Sequence, residues 1–63
     1  MKKKILHISG RELSPIQVGF PALIDQMDGW GRMTTTVLCV RQRTVDQIEF
    51  ETENSVYIMR RIP

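Results

Sequence analysis

The fold is decided by three runs, MTTTVLCVRQ (33–42), VDQIEFET (45–52) and SVYIMRRI (55–62). Each run is rich in β-branched or aromatic residues, which pack well on a pleated surface, and polar turn residues separate one run from the next. The pattern predicts three consecutive strands with no helix between them. A small β-meander of this kind typically supports binding contacts and not catalysis.

Length and composition limit the classes of protein that fit. A chain of 63 residues with 41% hydrophobic residues predicts one domain, 1–63, near the lower limit of independent stability. The single Cys39 cannot form an internal disulfide, and one His with one Cys cannot complete a four-ligand zinc site. No cofactor or metal is therefore expected. Self-association, as a homodimer, is the expected source of extra stability.

A single unpaired Cys and four Met residues fit a reducing compartment, so a cytoplasmic protein is predicted. The formal net charge is +2 and the isoelectric point is about 9.1, which is a weak signal for nucleic acid. No apolar stretch reaches the length of a membrane span. Lys2, Lys3 and Lys4 resemble the start of a signal peptide, but His7 and Arg11 interrupt the apolar run after them, so no export signal is predicted.

The first half of the chain predicts two more strands. The first covers Lys4–Ile8 and ends at Ser9-Gly10-Arg11. The segment Gln17–Met27 suits either a strand or one short helical turn, and a strand is preferred; Pro21 then requires an edge, a bulge or a bend. The stretch 28–31, Asp-Gly-Trp-Gly, is a strong hairpin turn because Asp-Gly supplies the positive φ that tight turns need.

These elements predict an all-β fold, a small antiparallel meander of four to five strands that closes into an SH3-like or OB-like partial barrel. Within the third strand, Val37–Val40 is apolar on both faces, which predicts cover on both sides and a buried, inert thiol at Cys39. The polar segment Arg41–Thr44 predicts a turn into the fourth strand.

The last hairpin has two possible registers. Ile48 and Phe50 are expected to point inward, with Asn54 in the turn. A two-residue loop would place Phe50 opposite Tyr57 and Ile48 opposite Met59. A three-residue loop with a bulge would instead place Ile48 and Phe50 on the same face as Val56 and Ile58. This register is preferred because it keeps Glu49 and Glu51 away from that β-branched face.

In the preferred register Tyr57 and Met59 point outward, and together with Trp30 they are the predicted protein-contact residues. Trp30 lies between two glycines in a turn, where a large aromatic side chain suits a contact anchor. The alternative for Trp30 is that its ring folds back over the open end of the barrel. Surplus apolar surface on so small a chain favours a non-enzymatic module that acts by binding protein.

Nucleic acid binding is the alternative hypothesis. If the first and last strands pair, Lys2, Lys3 and Lys4 would lie beside Arg60 and Arg61 and form a basic patch that suits phosphate groups. The same residues also protect strand edges from aggregation. A further alternative is that a dimer interface forms a pocket that sequesters a small ligand.

Catalysis is not expected from the candidate groups in the chain. Glu49 and Glu51 share one side of the fourth strand at a spacing of two, but a catalytic carboxylate needs a pocket that raises its pKa, so a solvated face is predicted. Cys39 and His7 would make a nucleophile and base only with an oxyanion site, for which the chain offers no donor segment.

The order VGFPALI, GWGRMTTTVLCV, IEFETENSVYIM resembles that of very short uncharacterised proteins of bacterial and phage genomes that end in a Thr-x-Asn-Ser-x-Tyr hairpin. The matching residues are Gly19, Pro21, Ala22, Thr34 to Val37, Thr52, Asn54, Ser55 and Tyr57. The resemblance implies a phage or mobile-element context. Proteins of this size in that context frequently bind and block a host protein, as anti-defence inhibitors do.

Overall fold

A computed structural model describes residues 3–26 and 31–62 of the chain. The strands are β1 (Lys4–Glu12), β2 (Pro21–Asp25), β3 (Gly31–Arg43), β4 (Gln47–Thr52) and β5 (Ser55–Arg61). They follow one another around a closed barrel in chain order, and β5 returns to β1. The predicted all-β fold, a small meander barrel of SH3-like or OB-like type, is confirmed.

The barrel closes through a parallel pair of strands. Each hairpin reverses the chain direction, so the first and fifth strands of the meander run the same way. Their register extends from Lys4 opposite Ser55 to Gly10 opposite Arg61. The other four pairs are antiparallel. This closure pairs the first strand with the last and removes the open edges on which small sheets aggregate.

The seam between β1 and β2 is the shortest in the barrel. Its register contains two pairs, Arg11 with Asp25 and Glu12 with Ile24, and the Leu13 N–H extends it by donating to the Leu23 carbonyl at 2.9 Å. β1 therefore runs through Ser9-Gly10-Arg11, where the sequence predicted its end. Gly10 is buried where the two backbones meet.

The core is built mainly by alternate residues of the strands. Its buried apolar members are Ile16, Ala22, Ile24, Val37, Ile48, Phe50, Tyr57 and Met59. The expected inward orientation of Ile48 and Phe50 is confirmed. Ile16 is different in origin, because it lies in the loop between β1 and β2 and enters the core from the side of that loop.

The preferred register of the last hairpin is wrong. Phe50 lies opposite Tyr57 and Ile48 opposite Met59, as a two-residue turn requires. The turn is held by the Thr52 hydroxyl, which accepts from the Ser55 N–H and donates to the Ser55 carbonyl, both at 3.2 Å. Side-chain hydrogen bonds of this kind stabilise tight turns, so the hairpin closes without a bulge.

Two expectations for the long third strand are also wrong, namely the turn over Arg41–Thr44 and the buried thiol of Cys39. β3 continues to Arg43, and the turn into β4 lies at Thr44, whose N–H donates to the Gln47 carbonyl at 2.8 Å. Val37 is buried, but Leu38 is 47% exposed and Cys39 is exposed as well. Register shifts between Val37 and Cys39 and again after Val40 rotate these side chains to the outside.

The second strand is shorter than predicted. β2 begins at Pro21, a position where the missing N–H costs no ladder bond. Ala22 and Ile24 face the core, whereas Val18 and Phe20, which the predicted strand Gln17–Met27 included at the same alternation, lie before the observed strand and are exposed. A turn precedes the strand, in which the Phe20 N–H donates to the Gln17 carbonyl at 3.3 Å and the intervening Gly19 has a φ of 94°.

Candidate protein-contact site

The predicted contact residues do not form a site on the surface that the structure describes. Tyr57 is 8% exposed and Met59 is 0% exposed, because the observed register turns both side chains into the core. Their predicted outward orientation is wrong. Trp30 and residues 28 and 29 of the predicted turn 28–31 lie outside the described residues.

The predicted basic patch does not form, because the parallel pair places Lys4 opposite Ser55 and Arg61 opposite Gly10, so the two basic segments lie at opposite ends of the pair. The Lys3 ammonium donates to Glu51 Oε2 and to the Thr52 carbonyl, both at 2.7 Å. Arg61 donates to Glu12 Oε1 and, at 2.8 Å, to the Thr44 carbonyl. Both cations are therefore held by protein acceptors, which lowers their capacity to bind a phosphate.

Lys4 and Arg60 are exposed, and Lys2 lies outside the described residues. Lys4 is opposite Ser55, whereas Arg60 is opposite Ser9. Five residues along a parallel pair separate these two positions, which is roughly 16 Å. The parallel closure thus places the two exposed cations far apart.

The outer face of β4 carries an ion-pair network. Arg41 lies 2.6 Å from Glu51 Oε1 and 3.7 Å from Glu49 Oε2, while Lys3 binds the other oxygen of Glu51. Hydrogen bonds from Lys3 and then from Arg41 hold the pKa of the Glu51 carboxyl below its usual range. A general acid needs the opposite shift, so this geometry suits a charged, solvated face.

His7 and Cys39 lie on strands that do not pair with each other. His7 lies in β1 opposite Ile58 of β5, and Cys39 lies in β3 opposite Glu51 of β4. Since β1 and β3 are not neighbours in the barrel, no cross-strand pairing brings the thiol and the imidazole together. The arrangement does not support a nucleophile and base.

A groove on the outside of β2 and β3 is the strongest candidate site. Its cavity measures about 350 Å³ and is lined by Ser14, Pro15, Gln17, Phe20, Pro21, Leu23 and Met33. Leu23 and Met33 are direct cross-strand neighbours. Phe20 is 61% exposed and Met33 is 71% exposed. These lining residues carry no formal charge and are mainly apolar, which is the character of a protein-contact surface.

The rim of the groove is fixed to the barrel by its backbone. The Phe20 carbonyl accepts from the Val37 N–H at 3.0 Å, and the Gly19 N–H donates to the Val37 carbonyl at 2.9 Å. Within β2, Pro21 and Leu23 face outward because they alternate with Ala22 and Ile24, which face the core. The apolar side chains of the groove are therefore presented by strand alternation.

The loop wall of the groove is anchored from beneath by Ile16. The side chain of Ile16 is buried, its N–H donates to Glu12 Oε2 at 3.3 Å, and its carbonyl accepts from the Arg43 guanidinium at 2.7 Å. Glu12 also binds Arg61. This set of contacts, which we call the Glu12 clasp, connects β1, the loop, β3 and β5 and fixes the wall that carries Pro15 and Gln17.

A second cavity of about 500 Å³ lies beside the Glu12 clasp. It is lined by Arg11, Glu12, Val45, Asp46, Arg61 and Ile62. The acidic and basic residues in its lining are equal in number, and Arg61 is engaged by Glu12 and by the Thr44 carbonyl. This geometry favours a structural role, in which the end of β5 is held against β1 and the turn before β4.

The described ranges 3–26 and 31–62 contain no group of three or more His, Cys, Asp or Glu side chains placed to hold a metal ion. No helix in those ranges is long and apolar enough to cross a membrane. Comparison of the chain with protein-family models, curated proteins and solved structures found no match. Function is therefore inferred from the geometry of the chain itself.

Sequence reasoning missed the groove, although one signal for it was present. The segment PALID (21–25) is apolar on both faces, so one of its faces had to remain outside a core as small as this one. The outward position of Phe20 could not be inferred in the same way. It depends on the turn at Gly19, which interrupts the strand alternation before Ala22 and Ile24.

Proposed function

We propose that this protein is a non-enzymatic interaction module that binds a partner protein through the apolar groove of β2 and β3 and blocks that partner. The exposed cluster of Phe20, Leu23 and Met33 on a closed barrel carries the proposal. These three side chains are exposed on the outside of the barrel and are not members of the buried core cluster. Burial of such side chains against a partner is the main source of binding energy at protein interfaces.

The inhibitor role rests on the resemblance to very short phage proteins and on size. A chain of 63 residues with an apolar groove on its outer surface occludes a surface on its partner more readily than it performs chemistry. Blocking of a host defence protein is the form of this function that the phage-like context favours. In this role the barrel acts as a rigid support for the groove.

Affinity capture with matched variants tests the proposal. Tagged wild-type chain and a Met33→Glu variant are used to capture proteins from a bacterial host lysate, with Val45→Glu as the control. Val45 is 86% exposed on the turn before β4, outside the lining of the groove. A protein retained by the wild type and by Val45→Glu but lost by Met33→Glu supports the groove as the contact surface.

Capture that is equal for all three chains would overturn the assignment of the groove. Circular dichroism of each variant shows whether the barrel is intact, and both substitutions are at exposed positions where surface changes typically shift stability by less than about 0.5 kcal/mol. A partner recovered in this way can then be assayed for loss of its own activity on addition of the chain.

A further inference from the structure

We infer that the same groove is the surface on which two copies of this chain meet, so that self-association and partner binding compete for it. The inference rests on the proposed function, because it takes the groove to be a protein-contact surface. It goes further by naming one occupant, a second copy related by a two-fold axis.

The charge distribution of the groove favours a second copy. In a two-fold interface each patch meets an identical patch, so a charged residue near the axis faces its own like charge. The residues that line the groove carry no formal charge. The outer face of β4, by contrast, carries Glu49 and Glu51 with Arg41. Of these two surfaces, the groove is the one that can face itself without opposing like charges.

The groove also places an exposed aromatic side chain beside a hollow. Phe20 lines a cavity of about 350 Å³, its backbone is held at Val37, and its side chain is 61% exposed. A two-fold arrangement allows each Phe20 to enter the groove of the other copy. The hollow includes Met33, whose flexible thioether adapts to an incoming aromatic ring.

The size of the chain sets the strength of this contact. The molecule measures 33 × 22 × 19 Å along its principal axes. Its largest face has a projected area of roughly 700 Å², so a contact limited to the groove and its rim is smaller than the roughly 800 Å² per partner of a standard interface. A contact of this size between two small chains is expected to dissociate in the micromolar range, which leaves it open to displacement by a partner that binds more tightly.

A charge-swap experiment tests this inference. Sedimentation equilibrium of the wild type is measured over about 1 µM to 1 mM, and the dissociation constant of the dimer is compared with those of Met33→Lys and Met33→Glu alone. Each single variant places like charges opposite each other near the axis and is expected to weaken association about 100-fold. An equimolar mixture of the two variants brings opposite charges together and is expected to restore it.

The pair Val45→Lys and Val45→Glu is the control, and it is expected to associate as the wild type does. A wild type that stays monomeric throughout the series overturns the inference. A mixture of the Met33 variants that associates no better than either alone also overturns it. Neither result bears on capture of a partner from the lysate, so failure of self-association is distinguishable from failure of the groove as a contact surface.

Discussion

The rings of Phe50 and Tyr57 stack in the core with centroids 5.1 Å apart and an interplanar angle of 15°. The two residues are opposite each other on β4 and β5, in the same register that places Ile48 opposite Met59. This stack makes the inner face of the last hairpin continuous with the core. It therefore assigns Tyr57 to stability and removes it from the candidate contact surface.

Replacement of Tyr57 tests that assignment. Tyr57→Ala is expected to lower the free energy of unfolding by about 3 kcal/mol or more, because it removes a buried ring and leaves a cavity beside Phe50. Ile58→Ala is the matched control, since Ile58 is the next residue and is only half-buried on the outer face. Urea unfolding followed by circular dichroism gives both values. Equal losses would contradict an inward Tyr57.

The strands could be predicted from sequence because alternation is a local property. Ile48 and Phe50 alternate with polar neighbours, and their inward orientation follows from that pattern. The register could not be predicted in the same way. One reason is that the Thr52 hydroxyl holds the tight turn. Another is that Glu51 lies opposite Val56, a pairing that the sequence pattern disfavoured, and its carboxylate is neutralised by Lys3, which is 48 residues away along the chain.

The candidate site was beyond sequence reasoning for a related reason. Hydropathy does not distinguish Ile16, which is buried, from Val18 and Phe20, which are exposed. The difference arises from contacts made across the barrel: Glu12 and Arg43 hold the backbone of Ile16. The burial of Ile16 therefore depends on contacts with β1 and β3 that hydropathy does not record.

Gly10 is expected to be intolerant of any side chain. A Cβ at this position would lie well inside van der Waals contact of the Asp25 carbonyl oxygen, so the β1 and β2 backbones would have to separate at their shortest seam. Gly10→Ala is expected to cost about 2 kcal/mol or more, as overpacking in a closed site does. Thermal and urea unfolding provide the measurement.

Alanine substitutions at two other glycines are the controls for the stability of Gly10→Ala. A Cβ at Gly31 would meet its nearest neighbour at 3.9 Å, an ordinary contact, so Gly31→Ala is expected to change stability little. At Gly19 there is open space but a φ of 94°, so Gly19→Ala is expected to cost about 1 kcal/mol through backbone strain. If Gly10→Ala were as stable as Gly31→Ala, the β1 and β2 backbones would be able to move apart at little cost in stability.

The Glu12 clasp is expected to support both stability and the groove. Glu12→Gln keeps the shape of the side chain but removes the charge that binds Arg61, and weakens the acceptor for the Ile16 N–H. A loss of about 1 to 3 kcal/mol is expected, the usual range for a partly buried charged hydrogen bond. Arg60→Ala, an exposed neighbour of Arg61, is the control and should be nearly neutral in stability.

Partner capture by Glu12→Gln should also weaken, because the clasp fixes one wall of the groove. Unchanged capture would show that the groove does not depend on the Glu12 clasp.

The ion pairs of Glu51 predict a specific dependence of stability on pH. Hydrogen bonds from Lys3 and then Arg41 lower the pKa of this carboxyl in the folded chain. The unfolded chain has the ordinary value for Glu, about 4.3. A group whose folded pKa is lowered stabilises the fold fully above the unfolded pKa, and this contribution is lost as the pH falls towards the folded pKa.

Wild type should therefore melt at a higher temperature than Glu51→Gln at pH 7, and the difference should shrink as the pH falls below about 4.3. Because Lys3, Arg41 and Glu51 are partly exposed, high salt should reduce the difference at pH 7 as well. Glu53→Gln, at an exposed position in the adjacent turn, is the control and should follow the wild type at both pH values. A gap between wild type and Glu51→Gln that persists unchanged at about pH 3, below the unfolded value, would mean that residue 51 acts through packing and not through its charge.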